Sequence, residues 1–358
     1  MEGHRVLAIN PGSTSTKVAV YQNEKSIFLK TIRHSAEEIN KYDKVVDQFE
    51  FRKEIILNEL IQDDIDTEKI EAVVGRGGLI KPIESGIYEV NEKLLMDLRD
   101  EFLGEHACNL GGLIAYDIAK SLPNAKAYIA DPVVVDEMQD VARIAGHPKF
   151  ERLSIFHALN QKAITRVYAK AMNKNYSDLN LIVAHLGGGV SVGAHCKGKV
   201  IDVNNALDGE GPFSPERSGT LPNGQLVEMC FSGDYSKKEI KKILKGEGGL
   251  IAYLGTNDAY SVEMKAKDGD AKAKLIQDAM AYQVAKEIGS LATVLKGQVD
   301  GILITGGIAH NPDLIEYIKE MVSFIAPVTV YPGEDEMKAL AVNGLLVIKG
   351  EIECKEYK

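Results

Sequence analysis

The chain has 358 residues and a mass of 39.1 kDa, a length that predicts about two domains. Apolar residues make up 45% of it and charged residues 26%, which is typical of a soluble globular protein and excludes a disordered or low-complexity chain. Its net charge of −10 argues against a nucleic-acid partner held by bulk electrostatic attraction.

Localisation signals and cysteine spacing narrow the class of protein further. No apolar run approaches the roughly 18 residues that a membrane-spanning helix needs, and the N-terminus has no signal-peptide pattern. Cys108, Cys196, Cys230 and Cys354 are widely scattered and form no C-x-x-C pair. We therefore expect a cytoplasmic protein with reduced thiols, no membrane partner and no cysteine-based metal site.

The first part of the chain begins with β-rich sequence and then alternates helices with strands. The predicted elements are strands over residues 6–9, 17–20, 27–32, 71–74 and 127–130, and helices over residues 45–61, 92–102 and 110–122.

The pattern starts again after about residue 150. Strands are predicted over residues 181–184, 192–194, 199–203, 301–305 and 328–331, and helices over residues 154–173 and 275–296. Ser154 is the predicted N-cap of the first of these helices, and Asn311 and Pro312 are the cap and first residue of another helix. A terminal helix follows Glu336.

Both parts therefore contain the same unit of strand, small-residue loop, strand, tight turn and strand. The loop begins with a polar residue each time, Asn10 and then His185. Hairpins are common, so chance is the alternative, but the repetition of loop chemistry favours a duplicated two-domain architecture.

The first loop, residues 10–17, has one glycine, four hydroxyl side chains and Lys17 in a turn between strands. This composition suits phosphate oxygens, although its order is not that of a Walker A motif. A Ser/Thr-rich surface hairpin is the alternative interpretation.

Two further loops carry consecutive glycines directly after buried strands. Gly187, Gly188 and Gly189 follow one strand, and Gly306 and Gly307 stand between another strand and a helix N-terminus. Glycine allows a ligand to approach the backbone closely. Three small-residue loops after three strands in a duplicated frame favour a nucleotide site.

The sequence of residues 10–17, 75–78 and 185–191 resembles that of the carboxylate kinases of the acetokinase family, in the acetate and sugar kinase, Hsp70 and actin superfamily. The resemblance runs from the first strand to Glu336. It implies an α/β, duplicated ribonuclease H-like (actin-like ATPase) two-domain fold with a nucleotide cleft between the domains. The implied domains are residues 1–150, completed by the terminal helix 337–358, and residues 151–336.

The resemblance also implies roles for individual residues. For the nucleotide, it implies a first phosphate loop of Asn10, Ser13, Ser15 and Lys17. It implies a second phosphate loop of His185, Gly187, Gly188 and Gly189. It also implies an adenosine loop of Gly306 and Gly307. For the reaction, it implies that Asp131 acts near magnesium, that His157 stabilises the transferring phosphoryl group and that Arg217 clamps its oxygens. Glu336 is implied to be a second magnesium-associated carboxylate.

The residues expected to bind the acid differ from the family pattern. Acetate kinases carry an arginine ahead of a His-Gly-Gly segment, whereas this chain has Val73 at that place and Arg76 in place of the histidine. Arg76 is our candidate for binding the substrate carboxylate. Gly75, which replaces a valine, is interpreted as enlarging the acid pocket, and His106 and Phe156 are further candidates to line it.

The resemblance implies ATP-dependent phosphorylation of a short-chain carboxylate with Mg²⁺ and release of ADP, with butyrate as the expected acid. Acetate, propionate or a branched short acid is the alternative within the same chemistry, and a non-catalytic nucleotide switch is a distant one. No general base is required, because a carboxylate is already ionised at neutral pH. A homodimer or higher homo-oligomer is expected.

Overall fold

The computed structural model describes residues 3–101 and 103–358. The chain divides into two compact units, Met1–Val135 with Asp335–Lys358, and Asp136–Glu334. In the described residues, no helix is both long and apolar enough to cross a membrane. The domain limits expected from the sequence, 1–150 with 337–358 and 151–336, stay a prediction.

The strands in chain order are β1 (Arg5–Pro11), β2 (Ser15–Gln22), β3 (Lys25–Arg33), β4 (Ile70–Arg76), β5 (Ile87–Glu89), β6 (Lys126–Ala130), β7 (Asn180–Leu186), β8 (Val190–Cys196), β9 (Lys199–Val203), β10 (Gly301–Gly306) and β11 (Val328–Pro332). The helices are α1 (Ala36–Ile39), α2 (Phe49–Gln62), α3 (Glu92–Arg99), α4 (Asn109–Ser121), α5 (Asp140–Arg143), α6 (Ala158–Ala171), α7 (Asn223–Phe231), α8 (Lys237–Leu244), α9 (Gly249–Leu254), α10 (Ala259–Lys267), α11 (Ala271–Val294), α12 (Pro312–Val322) and α13 (Glu336–Ile348).

The sheets of the two units share the same strand order over five strands, and the first sheet has β5 as a sixth. Within the described residues, the first has the strand order β3-β2-β1-β4-β6-β5 and the second has the order β11-β10-β7-β8-β9. In each, two antiparallel hairpin partners extend from a leading strand, β1 or β7, which pairs in parallel on its other side with β4 or β10. The predicted duplication is therefore confirmed.

Parallel pairing brings the carboxyl ends of β1, β4 and β6 to one edge of the first sheet. Arg76 pairs with Ala130, the residue before Asp131. On the other side, Gly75 pairs with the residue that precedes Asn10. Because side chains just beyond parallel strands emerge at the same edge, three predicted site residues from distant parts of the sequence share this position.

The second sheet repeats this arrangement. His185 on β7 pairs with Thr305 on β10, and Thr305 pairs with Tyr331 on β11. The glycine turn after β7 and Gly306 at the end of β10 therefore lie at the same edge of the sheet.

Helix α13 belongs to the first unit although it follows the whole second unit in the chain. It packs on β1 and β4 so closely that a β-carbon on Gly344 would meet side-chain atoms of Val74 and Val6, at 2.7 and 2.9 Å. This packing places the first residue of the helix, Glu336, beside the first sheet.

Most predicted elements are present, with differences at their ends. Helix α6 begins at Ala158 with His157 at its N-cap position, so the prediction of Ser154 as the cap is wrong. The cause is a long-range hydrogen bond, since the Ile155 carbonyl accepts from the Ala206 N–H at 2.9 Å and the segment before α6 is not helical. The last residue of the predicted helix 92–102, Phe102, lies outside the described residues.

Gly75 has a packing role that its sequence context does not reveal. A β-carbon there would lie 2.1 Å from the Gly111 carbonyl oxygen on α4, and a β-carbon on Gly111 would lie 2.2 Å from the Arg76 carbonyl oxygen. The two glycines let β4 and α4 touch through their backbones. The interpretation of Gly75 as an enlargement of the acid pocket stays a prediction, and the packing gives a second reason for glycine, because helix backbone fills the space that a side chain would need.

We predict that Gly75→Ala destabilises the fold, since no flexible side chain can move away from the new methyl group. Overpacking of this kind costs about 1–3 kcal/mol or more, and thermal unfolding monitored by circular dichroism measures it. Gly289→Ala is the matched control, because Gly289 lies within α11 and nothing lies within 4 Å of its missing β-carbon. A Gly75→Val enzyme with the parental melting temperature and an altered acid preference would contradict the packing role and favour the pocket interpretation.

Candidate active site

Three predicted residues meet in the first unit. The Asn10 side-chain amide donates a hydrogen bond to Glu336 Oε2. Arg76 Nη1 lies 3.1 Å from Glu336 Oε1 and donates to Asn10 Oδ1 at 3.4 Å. Glu336 is only 6% exposed, and a buried carboxylate needs a cation and hydrogen-bond donors to offset its desolvation. We call these three residues the Glu336 cluster.

Local structure at the start of α13 supports this placement. The Asp335 side chain caps the helix by accepting from the Lys338 N–H at 3.1 Å. A carboxylate in the first helical turn is also favoured by the helix dipole, so Glu336 suits its position in α13 as well as its contacts.

The predicted first phosphate loop is the turn between β1 and β2. The Gly12 N–H donates to the Ser15 carbonyl at 2.7 Å, and this bond closes a tight turn whose tip, Ser13, is exposed. Lys17 pairs with Asn10 across the hairpin. The structure therefore brings the four residues of the predicted loop together.

Arg52 on α2 is a component of this loop that the sequence analysis missed. Its side chain is 1% exposed. Its guanidinium donates to the carbonyl oxygens of Gly12, Ser13 and Ser15 at 2.8, 3.2 and 3.2 Å, and to Thr16 Oγ1 at 3.0 Å. It therefore ties the concave backbone of the turn to α2.

Within the described residues, every hydrogen-bond partner of the Arg52 guanidinium is uncharged. These partners include Gln48 Oε1, at 2.8 Å. Burial lowers the pKa of Arg52 to about 10. The guanidinium thus remains charged at neutral pH directly behind a loop expected to hold phosphate. The sequence did contain a signal that Arg52 is buried, because it lies on the same apolar stripe of α2 as the buried Ile56.

Asp131 is buried at the end of β6 with a positive φ of 37°. Its Oδ1 accepts from the Gly86 N–H at 2.8 Å, which fixes the orientation of the carboxylate. His106 lies at the start of the segment leading into α4, where its Nδ1 accepts from the Cys108 N–H at 3.2 Å. The roles of both side chains stay predictions.

Predicted residues also meet in the second unit. The rings of His157 and His185 stack with centroids 3.9 Å apart and planes 17° from parallel. His157 Nδ1 lies 2.8 Å from Ser191 Oγ, and His185 Nδ1 lies 2.9 Å from Asn160 Oδ1. Phe156, the residue before His157, is 2% exposed. Its proposed contact with substrate stays a prediction.

The glycine turn between β7 and β8 provides space for Arg217. A β-carbon on Gly189 would lie 2.0 Å from Arg217 Nη1 and 3.3 Å from His157 Cε1, so any side chain there would displace the guanidinium. Arg217 Nη1 donates to the Ala206 carbonyl at 2.6 Å, and Gly188 is held by the Ser214 hydroxyl at 2.7 Å. The predicted residues His157, Gly189 and Arg217 are thus neighbours.

The two glycines of the predicted adenosine loop differ in the space around their missing β-carbons. Gly306 has a φ of 96°, and a β-carbon on it would lie 2.3 Å from the Leu186 carbonyl oxygen. It is therefore required by the fold. Gly307 has open space around its missing β-carbon, which leaves its backbone accessible. Asn311 caps α12 with Pro312 as the first helical residue, which confirms the prediction.

We predict that Arg52→Lys weakens ADP binding although it keeps a positive charge, because one ammonium group cannot replace hydrogen bonds to three carbonyls and a hydroxyl. An increase of at least about tenfold in Kd by calorimetry corresponds to the loss of roughly one charged hydrogen bond. Arg99→Lys, at an exposed arginine on α3, is the matched control. Unchanged ADP affinity in a folded Arg52→Lys protein would contradict the assignment.

Known proteins of similar sequence indicate the family of this chain. The sequence profile of the acetokinase family matches residues 151–326. Butyrate kinase 2 of Clostridium acetobutylicum is 58% identical over 354 residues, which cover 99% of this chain and 99% of that protein.

Two solved structures show the fold. The acetate kinase of Porphyromonas gingivalis superposes with a TM-score of 0.79 at 19% identity, covering 97% of this chain and 100% of that chain. A propionate kinase from Francisella tularensis superposes with a TM-score of 0.75 at 21% identity, covering 95% and 98%. The two sheets thus form the expected duplicated, actin-like α/β fold. With 58% identity to a relative across nearly its whole length, this chain belongs to the acetokinase family.

Proposed function

We propose that this enzyme transfers the γ-phosphoryl group of ATP directly to butyrate, forming butyryl phosphate and ADP, and catalyses the reverse reaction. The observation that carries this proposal is the placement of Arg217 beside His157 and against the glycine turn, a set of donors suited to phosphoryl oxygens. The high identity to a protein named butyrate kinase 2 supports butyrate as the acid.

Phosphoryl transfer needs in-line positioning and neutralisation of charge spread over the phosphoryl oxygens. Arg217 supplies a fixed positive charge, and His157 supplies a hydrogen bond. Gly187, Gly188 and Gly189 leave the backbone open to close approach. No residue is assigned as a general base, because the substrate carboxylate is itself the ionised nucleophile.

Arg76 is the proposed anchor of the substrate carboxylate. It already binds a carboxylate in this structure, that of Glu336, and its side chain is 20% exposed, so one face remains accessible. A guanidinium can contact two carboxylate oxygens at once. We place its effect in binding the acid, whereas Arg217 acts on the phosphoryl group.

Mg²⁺ is part of the proposal. The donors fit, because Mg²⁺ is bound through one or two carboxylates together with substrate phosphates and water. Asp131 would offer a buried carboxylate already oriented by the Gly86 N–H at 2.8 Å, and Glu336 would offer a second. When bound, the ion would neutralise phosphate oxygens. In residues 3–101 and 103–358, no group of three or more His, Cys, Asp and Glu side chains forms a metal cluster.

We include a homo-oligomer, with a dimer as the simplest form, and a cytoplasmic location in the proposal. Common symmetry in soluble enzymes supports the first. The four free thiols agree with the second.

The function is tested by trapping acyl phosphate with hydroxylamine in the presence of ATP and Mg²⁺, across straight acids from acetate to valerate and one branched acid. The identity to butyrate kinase 2 leads us to predict the highest kcat/KM for butyrate, and each methylene buried beyond acetate contributes about 0.8 kcal/mol to this preference over the shorter acids. If another acid gives the highest kcat/KM, the protein is a carboxylate kinase that prefers that acid to butyrate. Absence of any hydroxamate would favour a non-catalytic nucleotide switch.

Arg217→Leu is the catalytic control in the same assay. Loss of this electrostatic contact lowers kcat by about 10²-fold or more, whereas the melting temperature changes little because Arg217 is only half-buried. A near-parental kcat would remove Arg217 from the proposed mechanism.

A further inference from the structure

Behind His157 lies a chain of polar side chains that the proposed reaction does not use directly. Ser191, Gln161 and His195 are each 0% exposed. They connect the Nδ1 side of His157 to the Tyr176 hydroxyl through successive hydrogen bonds. Because buried donors and acceptors must be matched, the positions of the hydrogens along this chain can be worked out.

The orientation of the Gln161 amide is fixed first. Its Nε2 lies 3.1 Å from the Ser191 main-chain carbonyl, which can only accept, so the nitrogen must face it. The second hydrogen on Nε2 is donated to Ser191 Oγ at 2.9 Å. Gln161 Oε1 is thereby directed to the other end, where it lies 2.9 Å from His195 Nε2.

His195 holds the amide in this orientation. Since Gln161 Oε1 can only accept, His195 Nε2 must carry a hydrogen. Burial, together with the nearby Lys162 charge, lowers the pKa of His195 well below its ordinary value, so the ring is neutral and Nδ1 carries no hydrogen. Nδ1 then accepts from the Tyr176 hydroxyl at 2.6 Å.

Ser191 transmits the orientation to His157. Its Oγ receives hydrogen bonds from Gln161 Nε2 at 2.9 Å and from the His157 main-chain N–H at 3.4 Å. Both lone pairs are then occupied. Among the described residues, the one acceptor within reach of the serine hydroxyl hydrogen is His157 Nδ1, at 2.8 Å.

We propose that Gln161, held by His195, is a positioning residue that fixes His157 through Ser191 as the neutral tautomer with its hydrogen on Nε2. A hydrogen on Nδ1 would give Ser191 Oγ a third N–H donor and leave its hydroxyl hydrogen without an acceptor. The consequence for catalysis rests on the proposed function: Nε2–H becomes a permanent donor for a phosphoryl oxygen, with no rearrangement needed during transfer.

The tautomer can be observed without turnover by long-range proton–nitrogen correlation spectra of protein labelled with ¹⁵N-histidine. The chain has eight histidines, and a His157→Gln spectrum identifies the relevant signals. We expect a pyrrole-type Nε2 and a pyridine-type Nδ1 for His157. The opposite pattern in the parent protein would overturn the proposal.

Gln161→Glu is the decisive variant, because a carboxylate accepts from Ser191 and cannot donate to it. The serine hydroxyl hydrogen then turns away from His157, which is expected to adopt the Nδ1–H tautomer, and kcat falls by about 10²-fold as for loss of one transition-state donor. If this variant does not fold, Ser191→Ala gives the second test, with a mixture of tautomers expected.

Thr165→Val is the matched control on the same helix. Thr165 is 0% exposed, and its hydroxyl donates to the Lys162 carbonyl at 2.8 Å without joining the chain. It should keep the parental tautomer and kcat. An unchanged Nε2–H signal in folded Gln161→Glu or Ser191→Ala overturns the positioning role. A parent protein with the expected tautomer and no hydroxamate formation would instead refute only the proposed function.

Discussion

The contact of Glu336 with Arg76 and Asn10 is the interaction on which the site of the first unit depends. It joins the start of α13 to the ends of β1 and β4, three elements far apart in sequence. Breaking a buried ion pair by removing one partner costs about 3–5 kcal/mol, so loss of any one member is expected to destabilise the cluster. The same contact holds the proposed acid-binding guanidinium in place before substrate arrives.

Close backbone approach is the second constraint, and it acts in both units. In the first, Gly75 and Gly111 bring β4 against α4, which fixes where Arg76 emerges. In the second, the missing side chain of Gly189 leaves the space that Arg217 occupies. The positions of Arg76 and Arg217 thus depend on glycines whose missing side chains leave room for other parts of the protein. This is why glycine-rich segments in this chain have to be interpreted one residue at a time.

Local patterns in the sequence predict much of this architecture. Buried strands followed by polar or glycine loops give the duplicated sheets, and the family resemblance identifies residues such as His157 and Arg217 that the fold then places side by side. What could not be predicted depends on long-range contacts. Gly75 contacts a helix more than thirty residues later in the chain. Arg52 on α2 donates to the backbone of the first loop, and Gln161 on α6 donates to Ser191 on β8. Each looks ordinary in its own segment.

The KM for butyrate in an Arg76→Lys enzyme shows whether Arg76 binds the substrate carboxylate, as we propose. Lysine keeps the charge opposite Glu336 and is expected to preserve the fold, yet it cannot make a two-point contact with a carboxylate. We expect a KM for butyrate at least about tenfold higher, equivalent to about 1.4 kcal/mol, with the KM for ATP near the parental value. An Arg76→Ala enzyme should show a larger rise. If both variants fold and keep the parental KM for butyrate, Arg76 does not bind the substrate carboxylate.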